Sequence, residues 1–129
     1  MARVLRVARI ADLTNRDLDA LCGTVTVARG LAYAHQGAVV DVELSDDGLQ
    51  ATGWVGGTRG AVYTTTITLT PLTGPEAGPH QLRRWASSCT CPMSGDCKHC
   101  VAVAVEVRET FAHVGAPEEA EPVAPAPPW

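Results

Sequence analysis

The sequence predicts an α+β domain in which N-terminal helices precede a small antiparallel sheet and a cysteine-rich turn leads into a C-terminal helix. Three observations predict it. The stretch "LTNRDLDALCG" carries a helix start at Thr14 and a stop at Gly23. Three runs of alternating residues, at 38–44, 49–55 and 61–70, are separated by the turn sequences "SDDG" and "GGTRG". The stretch "SSCTCPMSGDCKHC", residues 87–100, holds four of the five cysteines and one of the four histidines, and a long Val/Ala run follows it.

The first helix starts at Thr14. A threonine with an acidic residue three places on, Asp17, forms a capping box, and Leu13 and Leu18 stand at the two positions of a hydrophobic staple. Cys22 and Gly23 close the helix. "TVTVARGLAYAHQG" mixes signals: Thr24 to Val27 favour a strand by propensity, whereas Ala28 to Gln36 read as a helix stopped by Gly37. A helix from about Val25 satisfies more of the segment. "AVVDVEL", "LQATGWV" and "AVYTTTITLT" then alternate with period two and are joined by glycine-bearing turns, the pattern of an antiparallel meander. "GGTRG" lacks the Lys-Ser/Thr of a phosphate-binding loop and links two strand-like runs, so it is a hairpin turn. Residues 71–80 are loop by composition. "QLRRWASSCTC" is an extended segment. "CKHCVAVAVEVRETFAHVG" alternates like a strand, yet its length, its alanines and Gly115 suit a buried helix, with Asp96 as its cap.

A chain of 129 residues suits one small domain, 1–114, followed by a tail, 115–129. Apolar residues make up 46% of it, enough for a core. So small a domain still buries a modest share of its surface and gains from a cross-link. Glu118, Glu119 and Glu121 carry most of the net charge of −4, which leaves the body close to neutral and excludes binding of nucleic acid by bulk charge alone. The start "MARVLRVARI" interleaves arginine with apolar residues, unlike a secretory leader, and no run reaches membrane-spanning length. A cytoplasmic, reducing setting follows, in which clustered cysteines are metal ligands or catalytic thiols more often than disulfides. "APEEAEPVAPAPPW" reads as a disordered tail or a stiff linker.

The cysteine run has the spacing Cys89-x-Cys91, five residues, Cys97-x-His99. Alternate positions on an extended segment share a face, so Cys89 and Cys91 converge on one point. Pro92 and Gly95 suit the reversal that returns Cys97 and His99 from the other side. Three thiolates and one imidazole are an ordinary closed set for structural zinc. A helix beginning at Cys97 would also favour the thiolate forms through its positive end.

This Cys-x-Cys…Cys-x-His pattern resembles the SWIM zinc-finger family, and "CTCPMSGDCKHCVAVAV" looks like that motif with its apolar helix. "ARGLAYAHQGAVVDVEL", "ATGWVGGTRGAVYTTTITL" and "SSCTCP…CKH" are similar to the SWIM module near the N-terminus of some bacterial helicase-like, chromatin-remodelling-type ATPases. The resemblance covers about residues 25–113. It implies Cys89, Cys91, Cys97 and His99 as zinc ligands, a ββα-type finger, and a role in binding DNA or protein. Cys100 then packs in the helix, with exchange for Cys97 as the alternative, and Cys22 is a core residue. His35, His80 and His113 have no companion at ligand spacing.

Arg83, Arg84 and Lys98 flank the ligands and Trp85 lies beside them, a set that can meet phosphates while the aromatic stacks on a base. The competing reading makes the arginines a solvated pair and Trp85 a core residue. Function divides the same way. A zinc-stapled module binds DNA or a protein partner, a helicase-like ATPase on another chain being one such partner, without catalysis. A thiol redox protein would instead cycle the Cys89–Cys91 pair, leaving Cys97 and His99 unexplained. ATP hydrolysis is excluded on this chain for want of Gly-x4-Gly-Lys-Ser/Thr, and catalytic zinc for want of an open ligand position.

Overall fold

The computed structural model describes residues 4–72 and 82–111. It is α+β, with three α-helices against one five-stranded antiparallel sheet. Strand β1 is Val4–Arg6, followed by a 3-10 turn at Ile10–Asp12, helix α1 at Asn15–Cys22 and helix α2 at Thr24–His35. The meander β2 (Val39–Leu44), β3 (Gln50–Gly56) and β4 (Val62–Pro71) comes next, then β5 (Leu82–Cys89) and helix α3 (Lys98–Phe111). Of the loop expected at 71–80, Pro71 instead ends β4 and residues 73–80 lie outside the described residues, as do the tail at 115–129, His80 and His113.

Local signals read from the sequence are realised where their partners are near. Thr14 Oγ1 accepts from Asp17 N at 3.1 Å and Asp17 Oδ2 accepts from Thr14 N at 3.0 Å, which completes the capping box. Leu13 and Leu18 are both buried. Gly23 and Gly37 terminate the two helices with φ of 93° and 77°, conformations that favour glycine. "GGTRG" is a hairpin, tied by Gly57 N to Ala61 O at 2.7 Å.

Two strands exceed the expected three. The sheet order is β1-β5-β4-β3-β2, so the segment read only as extended is an interior strand. It pairs with β4 from Thr65↔Cys89 to Pro71↔Arg83 and with β1 from Val4↔Arg84 to Arg6↔Leu82. The N-terminal helices are thus preceded by an edge strand too short for alternation to reveal it.

Helix α3 packs on one face of the sheet, α2 packs on α3, and α1 packs on α2. Ala51, Val55, Ile67, Leu69 and Trp85 point inward and meet Val101, Val103, Val105 and Val107 of α3. From His99 to Val105 every residue of α3 is buried. A helix enclosed on all sides has no polar stripe, which is why its sequence carries no helical period. Two glycines let it sit so close. A Cβ on Gly30 of α2 would lie 2.4 Å from Val101 Cβ, and one on Gly53 of β3 would lie 2.5 Å from Val103 Cγ2. At the far end Arg108 donates to Leu13 O at 3.0 Å and Asn15 Oδ1 at 2.9 Å, joining α3 to the start of α1. Among the described residues no helix is long and apolar enough to cross a membrane.

Candidate metal centre

Strand β5 delivers the first ligand. Its period of two turns Arg83, Trp85, Ser87 and Cys89 toward the helices and Arg84, Ala86 and Ser88 away. Beyond Cys89 the backbone stays paired for one residue, Thr90 N donating to Thr64 O at 3.1 Å and Thr90 Oγ1 accepting from Thr64 N at 3.0 Å. A turn then closes, with Ser94 N to Cys91 O at 3.0 Å and Cys89 N to Ser94 O at 2.8 Å.

The loop folds back on Ser87. A Cβ on Gly95 would stand 2.7 Å from Ser87 O, so only glycine fits. Asp96 follows in a left-handed conformation, φ 49°. Its Oδ1 accepts from Trp85 Nε1 at 2.8 Å and from Ser87 Oγ at 2.6 Å, and its N donates to Ser87 Oγ at 2.8 Å. Cys97 is the residue next to α3, and Asp96 Oδ1 anchors the loop to β5. Cys97 O accepts from Val101 N at 3.2 Å, and His99 stands in the first turn of α3.

The ligand atoms of Cys89, Cys91, Cys97 and His99 all lie within 4.8 Å of one another, and all four residues are buried. Cys91 Sγ is 3.6 Å from Cys97 Sγ, and His99 Nδ1 is 3.6 Å from Cys97 Sγ and 3.7 Å from Cys89 Sγ. Zinc–sulfur bonds of about 2.3 Å and zinc–nitrogen bonds of about 2.05 Å give a regular tetrahedron edges of about 3.8 Å between sulfurs and about 3.6 Å between sulfur and nitrogen. These three edges match that figure, and the sulfurs are too far apart for a disulfide. The donor set fits a metal ion, and a zinc ion suits its chemistry.

The surroundings hold the imidazole still. His99 packs edge-on against Tyr33, centroids 5.5 Å apart, and tilted against Tyr63 at 4.8 Å. Thr65 Oγ1, buried beneath, is 3.2 Å from Cys89 Sγ. The pocket disfavours charge at Cys89, Cys97 and His99, whereas the hydrogen bond with Cys97 lowers Cys100. Burial pushes the Cys89 thiol up to about 11, partly offset by the Thr65 hydroxyl. A hydrogen bond with Cys100, then burial, raises Cys97 far above the ordinary thiol range. Burial, helped by Lys98, lowers His99, so its ring is neutral and free to ligate at pH 7.

A pH dependence follows. An entering metal displaces protons from its three thiol ligands but none from His99, so affinity rises with pH by up to about 1,000-fold per unit near neutrality. Competition against a chromophoric chelator between pH 6.5 and 8 measures the slope. A flat profile would mean that these thiols are not ligands.

The four residues proposed as partner contacts do not form one surface. Trp85 is only 2% exposed and tied to Asp96, a core residue that cannot stack on a base in this conformation. Arg83 turns inward and donates from Nε and Nη2 to Ala8 O, both at 3.3 Å. Arg84 projects from the opposite, uncovered face of the sheet. Lys98 sits on the helix side, its Nζ 4.8 Å above the Tyr33 ring. There it borders a cleft of about 120 Å³ lined by Thr26, Arg29, Met93, Cys97, Lys98 and His99. Arg29 and Met93 are exposed. Sequence reasoning missed Arg29 because only the packing of α2 on α3 brings it beside the ligands. Cys22 is half-buried against the core, His35 is exposed, and Cys100 is fully buried with its Sγ 3.7 Å from Cys97 Sγ. No protein-family model, no curated protein and no solved structure matches the chain.

Proposed function

We propose that the chain is a zinc-stapled binding module of the SWIM type, without catalytic activity, that docks DNA or a protein partner and works with a helicase-like ATPase carried elsewhere. The observation that carries the metal part is the agreement of three ligand-to-ligand distances, 3.6, 3.6 and 3.7 Å, with the edges of a zinc tetrahedron. Four protein donors complete such an ion and leave no position for a reacting water, which supports a structural role. The cation pair Arg29 and Lys98, with exposed Met93 between the same elements, supports docking at the cleft beside the metal.

The partner class is decided by salt. Arg29→Ala combined with Lys98→Ala should weaken binding to duplex and single-stranded DNA alike. It should also reduce the slope of log affinity against log salt by about 2, one for each phosphate that is no longer neutralised. Fluorescence polarisation across a salt series, with zinc content measured alongside, reads both. No DNA binding by the wild type at low salt removes DNA from the reading. An affinity that is insensitive to salt but lowered by Met93→Asp belongs to a protein partner.

A further inference from the structure

We propose that Cys97 and Cys100 are a peroxide-sensitive pair whose disulfide releases the metal, so that the centre is also a site of reversible oxidation. The inference rests on the metal reading above and adds its regulation. Cys97-Lys98-His99-Cys100 is a Cys-x-x-Cys sequence at the start of a 14-residue helix, with Cys97 just outside it and Cys100 in its first turn. The pair's sulfurs are 3.7 Å apart, hydrogen-bonded but not covalently joined. Closing to the disulfide length of about 2.05 Å takes rotation of the two side chains and a small shift at Cys97, whose backbone has not yet entered the helix.

Cys100 differs from the other clustered sulfurs in one respect. Cys89, Cys91 and Cys97 all belong to the donor set, whereas Cys100 lies outside it. With the ion in place, Cys100 is the one thiol of the cluster not engaged by it, and so the one available to resolve an oxidised ligand. Access is one-sided. Cys100 is fully buried and Cys97 is only 2% exposed, but of the cluster's thiols Cys97 is the one that lines the cleft between α2 and the metal loop, which has room for a molecule as small as hydrogen peroxide. The oxidant therefore reaches the ligand first and the resolving thiol only through it.

The Cys97 thiolate attacks one peroxide oxygen, the O–O bond breaks, and Cys97 sulfenic acid and hydroxide form. The Cys100 sulfur then attacks the Cys97 sulfur, the S–O bond breaks, and the departing hydroxide takes the Cys100 proton and leaves as water. Each cysteine sulfur gives up one electron. One peroxide becomes one water and one hydroxide. The ion is left with Cys89, Cys91 and His99, and its affinity falls.

The test uses the full chain loaded with zinc under reducing conditions. Zinc per chain is measured for the wild type and Cys100→Ser, and both are then treated with hydrogen peroxide. Release is followed with a chromophoric chelator and disulfides are mapped by mass spectrometry. The wild type should release zinc with a Cys97–Cys100 bond, and dithiothreitol with added zinc should restore it. Cys100→Ser should start with the same zinc content and release it at least about tenfold more slowly, or irreversibly through over-oxidised Cys97. Release from the variant at the wild-type rate, or a bond mapped to Cys89–Cys91 or Cys91–Cys97, overturns the proposal. Zinc present before peroxide in both proteins keeps the metal reading whatever follows. Zinc absent from both removes that reading, and with it the proposal of metal release.

Discussion

Cys91→Ser is expected to leave the purified protein with little or no zinc and a markedly lower melting temperature, where the wild type carries about one zinc per chain. The serine hydroxyl is a poor substitute for a thiolate, and Cys91 is the ligand on the turn, with no regular element to hold it once the ion is gone. A ligand that binds only the folded state adds about 4 kcal/mol when present at a thousand times its dissociation constant, and the variant forfeits that contribution. The damage should spread beyond the loop. Cys97 adjoins α3 and His99 stands in its first turn, and α3 is the helix on which the sheet packs. Metal analysis and thermal denaturation under reducing conditions measure both effects. A variant that keeps its zinc, or one that stays as stable as the wild type while losing only thiol reactivity, would reject the structural metal and favour the Cys89–Cys91 redox reading.

The second large effect needs no metal chemistry. Gly30→Ala should destabilise the domain by about 1–3 kcal/mol, the usual cost of forcing extra atoms into a packed core. Helix propensity alone predicts the opposite sign, since alanine in a helix interior is favoured over glycine by about 0.5–1 kcal/mol. Packing decides the sign here. The added Cβ would meet Val101 Cβ and Cγ1 at 2.4 Å and Lys98 O at 2.9 Å, and neither the backbone oxygen nor the branch point can swing aside. Val101→Ala in the same chain removes Cγ1 but leaves the Cβ clash, so it should not restore stability. Because α3 must move outward, dragging Cys97 and His99 with it, zinc affinity should fall as well. Urea denaturation with a parallel chelator competition checks this, and a variant as stable as the wild type would show that α2 and α3 do not approach so closely.

What the sequence made legible is what depends on near neighbours. The capping box at Thr14 and Asp17 involves four residues, the hairpins are set by adjacent glycines, and the four ligands fall within eleven positions. What it hid depends on distant packing. Val4–Arg6 is a strand only because Leu82–Arg84 lies beside it. Arg83 and Arg84 are neighbours in sequence, but once the segment is a strand they must face opposite ways, and the same parity that points Cys89 into the Cys/His cluster sends Trp85 into the core. Arg29 joins Lys98 only across the interface of α2 and α3. The Val/Ala alternation of α3 misleads for a physical reason: enclosure on every side removes the stripe by which a helix is read.

The pairing of β1 with β5, and the burial of α3 against every strand between, imposes a timetable on synthesis. When residues 4–72 have left the ribosome, Ala51, Val55, Ile67 and Leu69 still lack α3, the helix that packs on their strands. Strand β1 has no neighbour until Arg84 emerges, and no ion can be captured by four ligands until His99 has followed. Contacts of such long sequence separation close late and slowly, and the unfinished sheet is exposed in the meantime. The domain therefore completes as a unit only after α3 has been made, and the four-residue cluster that could hold a metal is assembled among the last events rather than the first.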